Sequence, residues 1–335
     1  MSEMTQALRK VAIVGSARIP FCRAYTGYEN QSNLSMLATA IGGLADKYGL
    51  KGERVGEVMA GSVISHSKDF NLAREALLDA GLSPLTPGTT MQIACGTSLQ
   101  AALTLGAKIA TGEIDSGIAG GSDTVSDSPV VLGPKMQKRM IALSRARTAG
   151  EKFAAFKGFN FGEIAPVAPS TQEPRTGLSM GEHCELMAKE WGITREAQDE
   201  LALRSHLNAA RAYEEGFHDD LLVPCAGIVK DNNVRPDTSL EKMAKLKPAF
   251  KKDGTVTAGN SSGRNDGAAA LLLASEEGVQ KQGLKPLGRI VAAASAGVDP
   301  RYMGIGPVPA IRKVLEKTGM SLSDMGLIEI NEAFA

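Results

Sequence analysis

Short apolar runs ending in small residues alternate with Ala-rich helical stretches along the first 123 residues, and that alternation limits the chain to a layered α/β fold. "VAIVGSA" (Val11 to Ala17) reads as a strand, and Leu34 to Tyr48 as a helix stopped at Gly49. "GEVMAGSVIS" repeats the strand signal, "FNLAREALLDAG" gives a helix ending at Gly81, and "TTMQIA" leads into a helix from Cys95 to about Ala110. "SGIAGGSD" is a further strand. The much later run "AAALLLA" (Ala268 to Ala274) reads as another buried strand, so the sheet is interrupted.

What interrupts it, residues 124–247, has a different character. A Pro- and Arg-rich irregular stretch precedes two helices between Ser179 and Gly216. Ser179 with Glu182 forms a capping box, Thr194 caps the second helix, and Leu203, Leu207 and Ala210 supply its apolar stripe. Residues 1–123 and 248–282 are thus expected to form one half and 124–247 an inserted loop subdomain, with 283–335 opening a second half. There "LGRIVAAASAGV" and "GLIEINEA" read as strands around a helix from about Pro309 to Gly319. "YGLKGERVGEVMAGSV" and "TGMSLSDMGLIEINEA" share a helix end, a linker and a strand, which hints at duplication.

Lys plus Arg and Asp plus Glu both number 37, so overall charge gives no reason to expect a nucleic-acid partner. Locally, seven basic residues lie between Lys135 and Lys157 with only Glu151 against them, a patch for CoA phosphates, for a membrane surface, or simply a solvated face. The N-terminus has no signal-like apolar core, and no apolar run reaches about 18 residues, so a cytoplasmic protein is expected. The four cysteines are scattered, and none of His66, His183, His206 and His218 has a metal-ligand spacing; no metal and no disulfide framework is expected.

"QIACGTSLQAA" (Gln92 to Ala102) places Cys95 in the first turn of a helix, where unpaired N–H groups and the dipole favour thiolate. Gly96 allows close approach of a bound group, and neighbouring N–H groups could hold an oxyanion. A free cysteine is equally at home as a small buried hydrophobe, and the local sequence leaves both readings open.

Four stretches together resemble the thiolase family nearly from end to end: "IACGTSLQAA" its nucleophile segment, "ARIPF" its N-terminal signature, "GTVTAGNSSGRNDGAAA" its central signature, and "NEAFA" its Asn-Glu-Ala-Phe motif. The resemblance implies a thiolase-like layered αβαβα fold with an inserted loop subdomain. It implies an acetyl-CoA C-acyltransferase of fatty-acid β-oxidation type, which cleaves a 3-ketoacyl-CoA or runs the reverse condensation through an acyl-cysteine. CoA and acyl-CoA enter as substrates, with no permanently bound cofactor. By matching position, Cys95 is the acylated nucleophile and Asn331 holds the water that polarises the acetyl-CoA thioester oxygen. Ser262 and Phe334 line the pantetheine channel, Met180 borders the acyl pocket, and Arg235 stacks on the adenine. Met180 as a core filler and Arg235 as a plain loop residue stay open beside these roles. A homodimer or homotetramer is implied, with a β-oxidation enzyme as a further partner.

The departures matter too. The family's Gly-His-Pro and Cys-x-Gly-Gly-Gly motifs, which activate the nucleophile and move the substrate proton, are not among these residues. The reading is therefore of a thiolase whose second half is incomplete, inactive in condensation on its own. Arg264 replaces an apolar residue, Cys22 a small one, and Ser98 stands where many members have Gly. "ACGTSLQA" leans toward the degradative members, whereas Asn331 stands where some of those carry His. A non-catalytic acyl-CoA-binding protein, a ketoacyl-synthase-like enzyme, and a cysteine hydrolase pairing Cys95 with His183 are the alternatives.

Overall fold

The computed structural model describes residues 8–281 and 283–335. The reading of the extreme N-terminus over residues 1–7 and the boundary at Gln282 lie outside the described residues.

Strand β1 (Val11–Arg18) is followed by the two-residue β2 (Cys22–Arg23) and helix α1 (Asn33–Lys47). A capping box between Ser32 and Ser35 starts α1, and Met36, Leu37, Ala40, Ile41 and Leu44 give it one buried face. Then come β3 (Glu57–Gly61), α2 (Leu72–Asp79), β4 (Gly88–Thr90), α3 (Thr97–Thr111) and β5 (Ser116–Asp123). Strands β3, β4 and β5 are mutually parallel, as the intervening helices require.

The inserted region contains β6 (Val131–Leu132), α4 (Pro134–Arg145), α5 (Ala149–Ala155) and β7 (Pro166–Val167), then α6 (Met180–Glu190), α7 (Arg195–Glu214) and α8 (Leu240–Ala244). The chain returns as β8 (Asn265–Ser275), antiparallel to both β5 and β1, giving the order β4-β3-β5-β8-β1-β9 with β2 paired to the start of β8. Helix α9 (Glu276–Lys281), strand β9 (Gly288–Ile290) and helix α10 (Pro307–Thr318) complete the elements named here.

Successive strand residues feed opposite faces of the sheet. Val58, Ile118 and Leu272 face α1 and α2, while Met59, Ala119 and Leu273 face Ala101, Leu105 and Ile109 of α3. Each fully buried Leu or Ile in these layers is worth about 2 kcal/mol.

Four expectations need correction. Residues 124–178 are not simply irregular: Pro134 opens α4 and a Thr148–Glu151 capping box opens α5. Neither helix buries a residue, although Met136, Met140 and Leu143 give α4 an apolar stripe at i, i+4 and i+7. Helix α7 buries only Gln198 and Asp199; of its expected apolar stripe, Leu207 is 45% exposed while Leu203 and Ala210 are partly buried. "LGRIVAAASAGV" forms only the three-residue β9, which adds to the edge of the first sheet beside β1. "GLIEINEA" forms no strand: an extended segment becomes one only by pairing along its length, and Leu327 is 85% exposed. No described helix is long and apolar enough to cross a membrane.

Candidate active site

Cys95 lies before helix α3, not in its first turn: Gly96 is the N-cap and Thr97 the first helical residue. A tight turn presents it. Ala94 takes a φ of 52°, a left-handed conformation that a side chain makes costly by roughly 1 to 3 kcal/mol. Thr97 fastens the turn, its buried hydroxyl accepting from Ile93 N (3.0 Å) and donating to Ala94 O (2.7 Å). Gly96 N donates to Ile93 O at 3.3 Å and Thr97 N to Ala94 O at 3.1 Å. The thiol at the tip is free and exposed.

Glycines make this turn possible at its back. A Cβ on Gly61 would strike the Met91 carbonyl, and one on Gly121 would strike Ser98 Oγ. Ser98 therefore fits because β5 carries Gly121 opposite it.

A cleft of about 410 Å³ lies between α7, the 258–265 loop and the C-terminal segment. Arg235, Ser262 and Asn331 all line it, together with Arg23, His206 and Glu332. Its floor is a buried polar network. Asn260, 2% exposed, donates to Asp199 Oδ1 (2.8 Å) and Thr255 O (3.1 Å) and accepts from Thr257 N (2.7 Å). Arg195 Nε completes the network on Asp199 Oδ2 at 2.7 Å.

Asn331 is held by the backbone around it. Ser262 N donates to Ala333 O and Ala335 N to Asn260 O, both at 2.9 Å, while Ser205 Oγ donates to Glu332 Oε2 at 2.6 Å. Arg235 N donates to His206 Nδ1 at 3.3 Å. Burial and then the Arg235 charge hold the His206 ring below the usual imidazole range, with Glu332 pulling the other way.

Phe334 stacks edge-to-face on Phe250 with centroids 5.9 Å apart. The same Phe250 ring covers Gly181, where no Cβ would fit, next to the half-exposed Met180. Cys95, Met180 and Phe334 are not among the residues lining the cleft; Arg235, Ser262 and Asn331 are brought together. His183 is fully buried on α6, its ring nitrogens bonded to Thr176 Oγ1 (2.9 Å) and Arg301 O (3.0 Å), so neither is open to an exposed thiol. Cys22 and Cys225 are buried, and burial pushes both thiols up. Arg264 is exposed, its carbonyl accepting from Ala24 N at 2.8 Å. Among the described residues no group of three or more His, Cys, Asp or Glu is arranged to hold a metal.

Sequence reasoning did not single out Arg23, Ser205 or Asn260, and gave His206 only a structural role. One signal was available: Leu201, Ala202, Ser205, His206 and Ala209 fall on one face of α7, and all line the cleft.

Residues 11–277 match the family description "Thiolase, N-terminal domain" and residues 284–335 match "Thiolase, C-terminal domain". The chain is 38% identical over 334 residues to a 3-ketoacyl-CoA thiolase of Serratia proteamaculans, covering 97% of this chain and 77% of that protein. It is also 38% identical to a 3-ketoacyl-CoA thiolase of Photobacterium profundum, covering 99% and 78%. Among solved structures it is similar to the acetyl-CoA acetyltransferase of Bacillus anthracis, with TM-score 0.86 and 37% identity over 98% of this chain and 82% of that one. The human mitochondrial 3-ketoacyl-CoA thiolase in complex with CoA gives TM-score 0.84 and 32% identity over 97% and 80%.

Proposed function

The chain belongs to the thiolase family, and on that premise we propose that it is an acyl-CoA:acetyl-CoA C-acyltransferase acylated at Cys95. The observation that carries the assignment of the nucleophile is the exposed thiol at the tip of a strained turn, directly before the N-terminus of α3. That helix end has no side-chain cap, and with the Gly96 and Thr97 N–H groups bonded inside the turn, those of Ser98 and Leu99 remain to meet an anion beside it.

In the cleavage direction Cys95 Sγ adds to the 3-keto carbonyl of a 3-ketoacyl-CoA. The C2–C3 bond breaks, the electron pair stays on C2, and protonation there releases acetyl-CoA. The thiol of a second CoA then displaces Cys95 from the acyl thioester, giving an acyl-CoA shorter by two carbons. Splitting the transfer into two thioester exchanges lowers each barrier. Asn331 serves the thioester oxygen of the acetyl unit, Ser262 and Phe334 line the pantetheine path, Met180 borders the acyl group and Arg235 meets the adenine end. Support for these roles is the shared cleft of Arg235, Ser262 and Asn331, and the packing of Phe334 and Gly181 on one ring, Phe250. CoA and acyl-CoA are substrates. The protein works in the cytoplasm as a homodimer or homotetramer, beside other β-oxidation enzymes, and its size in solution tests the oligomeric state.

The test is direct. Incubation of the 335-residue chain with acetyl-CoA, whose thioester exchange with a thiol breaks no C–C bond and releases CoA, followed by intact-mass and peptide analysis, is expected to place one acetyl group on the Cys95 peptide and none in Cys95→Ala. Label on Cys22, Cys184 or Cys225 instead overturns the assignment. A second reading, an acyl-CoA-binding protein without turnover, draws on one observation: Cys95 lies outside the lining of the cleft. CoA binding with no adduct at Cys95 would favour it.

A further inference from the structure

Arg23 holds a place in the cleft that none of the motif residues fills. It lies in β2 directly opposite Asn265 at the start of β8, and both residues line the cleft. Partners across an antiparallel rung share one face, while the next rung, Cys22 with Asp266, is fully buried on the other. The Arg23 backbone is fixed on both sides, its N–H donating to Asn232 Oδ1 at 2.7 Å and its carbonyl accepting from Thr26 Oγ1 at 2.5 Å. The side chain therefore projects from a held rung.

The segment around Arg23 is sewn to residues 231–235. Arg18 forks onto Asp231 (2.8 and 3.1 Å), and Phe21 N donates to Asp231 Oδ1 at 2.6 Å. Asn232 N donates to Phe21 O (3.2 Å) and Asn232 Nδ2 to Thr26 Oγ1 (3.0 Å). Arg235 follows shortly after Asn232, so arginines from distant parts of the chain meet in one cleft. Of the acids in its lining, Asp231 is matched by Arg18, Glu332 accepts from Ser205 Oγ at 2.6 Å, and Glu329 belongs to the C-terminal segment. Among the described residues, neither the Arg23 nor the Arg235 guanidinium has an acidic partner or a hydrogen bond, and both residues are exposed. Two unpaired guanidinium groups in one concavity repel each other, and a bound anion relieves that repulsion.

We infer, on the reading that CoA is the substrate, that Arg23 binds a phosphate of its nucleotide end, beside Arg235 at the adenine. Arg23 thereby makes the protein read the phosphorylated carrier and not its pantetheine arm alone. A guanidinium presents parallel N–H groups that match two oxygens of one phosphate, which a lysine at the same place does not. CoA offers such oxygens on its 3′-phosphate and on its 5′-diphosphate.

The experiment is equilibrium titration of the full 335-residue chain with CoA, dephospho-CoA and pantetheine, in a Cys95→Ala background that prevents acyl exchange. Arg23→Gln is expected to bind CoA about tenfold more weakly, and Arg23→Lys, which keeps the charge but not the fork, about threefold. The Gln loss should shrink at ~0.5 M salt and vanish for pantetheine, which carries no phosphate. A loss that persists with dephospho-CoA assigns the diphosphate, and one that disappears with it assigns the 3′-phosphate. The Arg23 side chain makes no bond within the fold, so urea unfolding of Arg23→Gln should match that of the parent. Unchanged CoA affinity in Arg23→Gln, an equal loss for pantetheine, or no CoA binding by the parent overturns the inference. Acylation of Cys95 by acetyl-CoA, followed separately in the chain with its cysteine, reports on the acyltransferase reading. Arg23-dependent CoA binding without that adduct removes the acyltransferase and leaves the inference standing; the adduct with Arg23-independent binding does the reverse.

Discussion

Asn260 is the residue whose removal should most damage the cleft while touching nothing that reacts. Its side chain makes three hydrogen bonds at 2.8, 3.1 and 2.7 Å, to Asp199 Oδ1, Thr255 O and Thr257 N, and it is 2% exposed. Truncation to Ala leaves two backbone groups and one carboxylate oxygen without these partners in a site water does not reach. At about 1 kcal/mol for each neutral bond and about 2 for the charged one, Asn260→Ala should lose about 4 kcal/mol of stability. Asn260→Asp is the sharper probe. It keeps the acceptor for Thr257 N but sets a second carboxyl group at the 2.8 Å contact with Asp199. Two carboxylates that close cannot both ionise cheaply, so the folded pair holds a proton to higher pH than the unfolded chain does. The folded state then binds more protons than the unfolded state, and stability falls as pH rises. Urea unfolding followed by circular dichroism at pH 5 and pH 7.5 should show an Asn260→Asp deficit that shrinks at the lower pH, beside a nearly pH-independent deficit for Asn260→Ala. Because Asn260 O accepts from Ala335 N, CoA affinity should fall in both variants. A loss under about 1 kcal/mol in Asn260→Ala, or an Asn260→Asp deficit that ignores pH, would refute this account of the network.

The four thiols should separate by reactivity. At pH 8 iodoacetamide should modify exposed Cys95 first; Cys184, pushed up to about 11 by burial and then by Glu185, should react slowly, and Cys22 and Cys225 only after unfolding, as peptide mass analysis would show. Gly61→Ala should drive a methyl into the Met91 carbonyl and toward Thr97 Cγ2 at 2.8 Å, lowering stability by about 1 to 3 kcal/mol and slowing Cys95 acylation at least about tenfold in a quenched mass assay. Burial pushes the Asp231 carboxyl up, but Arg18 (2.8 and 3.1 Å) and the Phe21 N–H (2.6 Å) outweigh it and hold the group below the usual range. Its contribution is therefore present above the unfolded value near pH 4 and lost as pH falls through the lower folded value. Wild type should exceed Asp231→Asn in stability at pH 7, with the gap closing on acidification in paired urea titrations.

Strands buried on both faces were the most legible part of the sequence. "SGIAGGSD" is β5 residue for residue, and "AAALLLA" lies inside β8, because an unbroken apolar run between small or polar residues has few other uses. Helices with a buried face, α1 and α3 among them, were found to within two residues. Helices α4 and α5 were missed among many charged residues; Pro134 and the Met136, Met140, Leu143 spacing announce the first, and the Thr148–Glu151 box the second. The site divided in the same way. Of the expected site residues, Arg235, Ser262 and Asn331 share a cleft, while Cys95, Met180 and Phe334 are not in its lining. The Asp199–Asn260 bond was not legible: it joins a helix to a loop 61 residues away, a contact that no local period encodes. Placing Cys95 inside the helix was two residues too generous, because Gly96 caps and Ala94 turns left-handed.

Strand β8 runs antiparallel to β5, with Asp123 facing Gly267 across the ladder. Everything between them is, in chain geometry, the loop of one hairpin, roughly 140 residues long. The entropy of closing such a loop grows only with the logarithm of its length, each doubling adding about 0.6 kcal/mol. The interposed segment can therefore lengthen, shorten or exchange whole modules at little expense to the sheet, provided its two ends return to adjacent rungs. The sheet meets the opposite constraint in time. Strands β1 and β5 are joined only through β8, so a growing chain cannot close its central layer until all the interposed residues have been made.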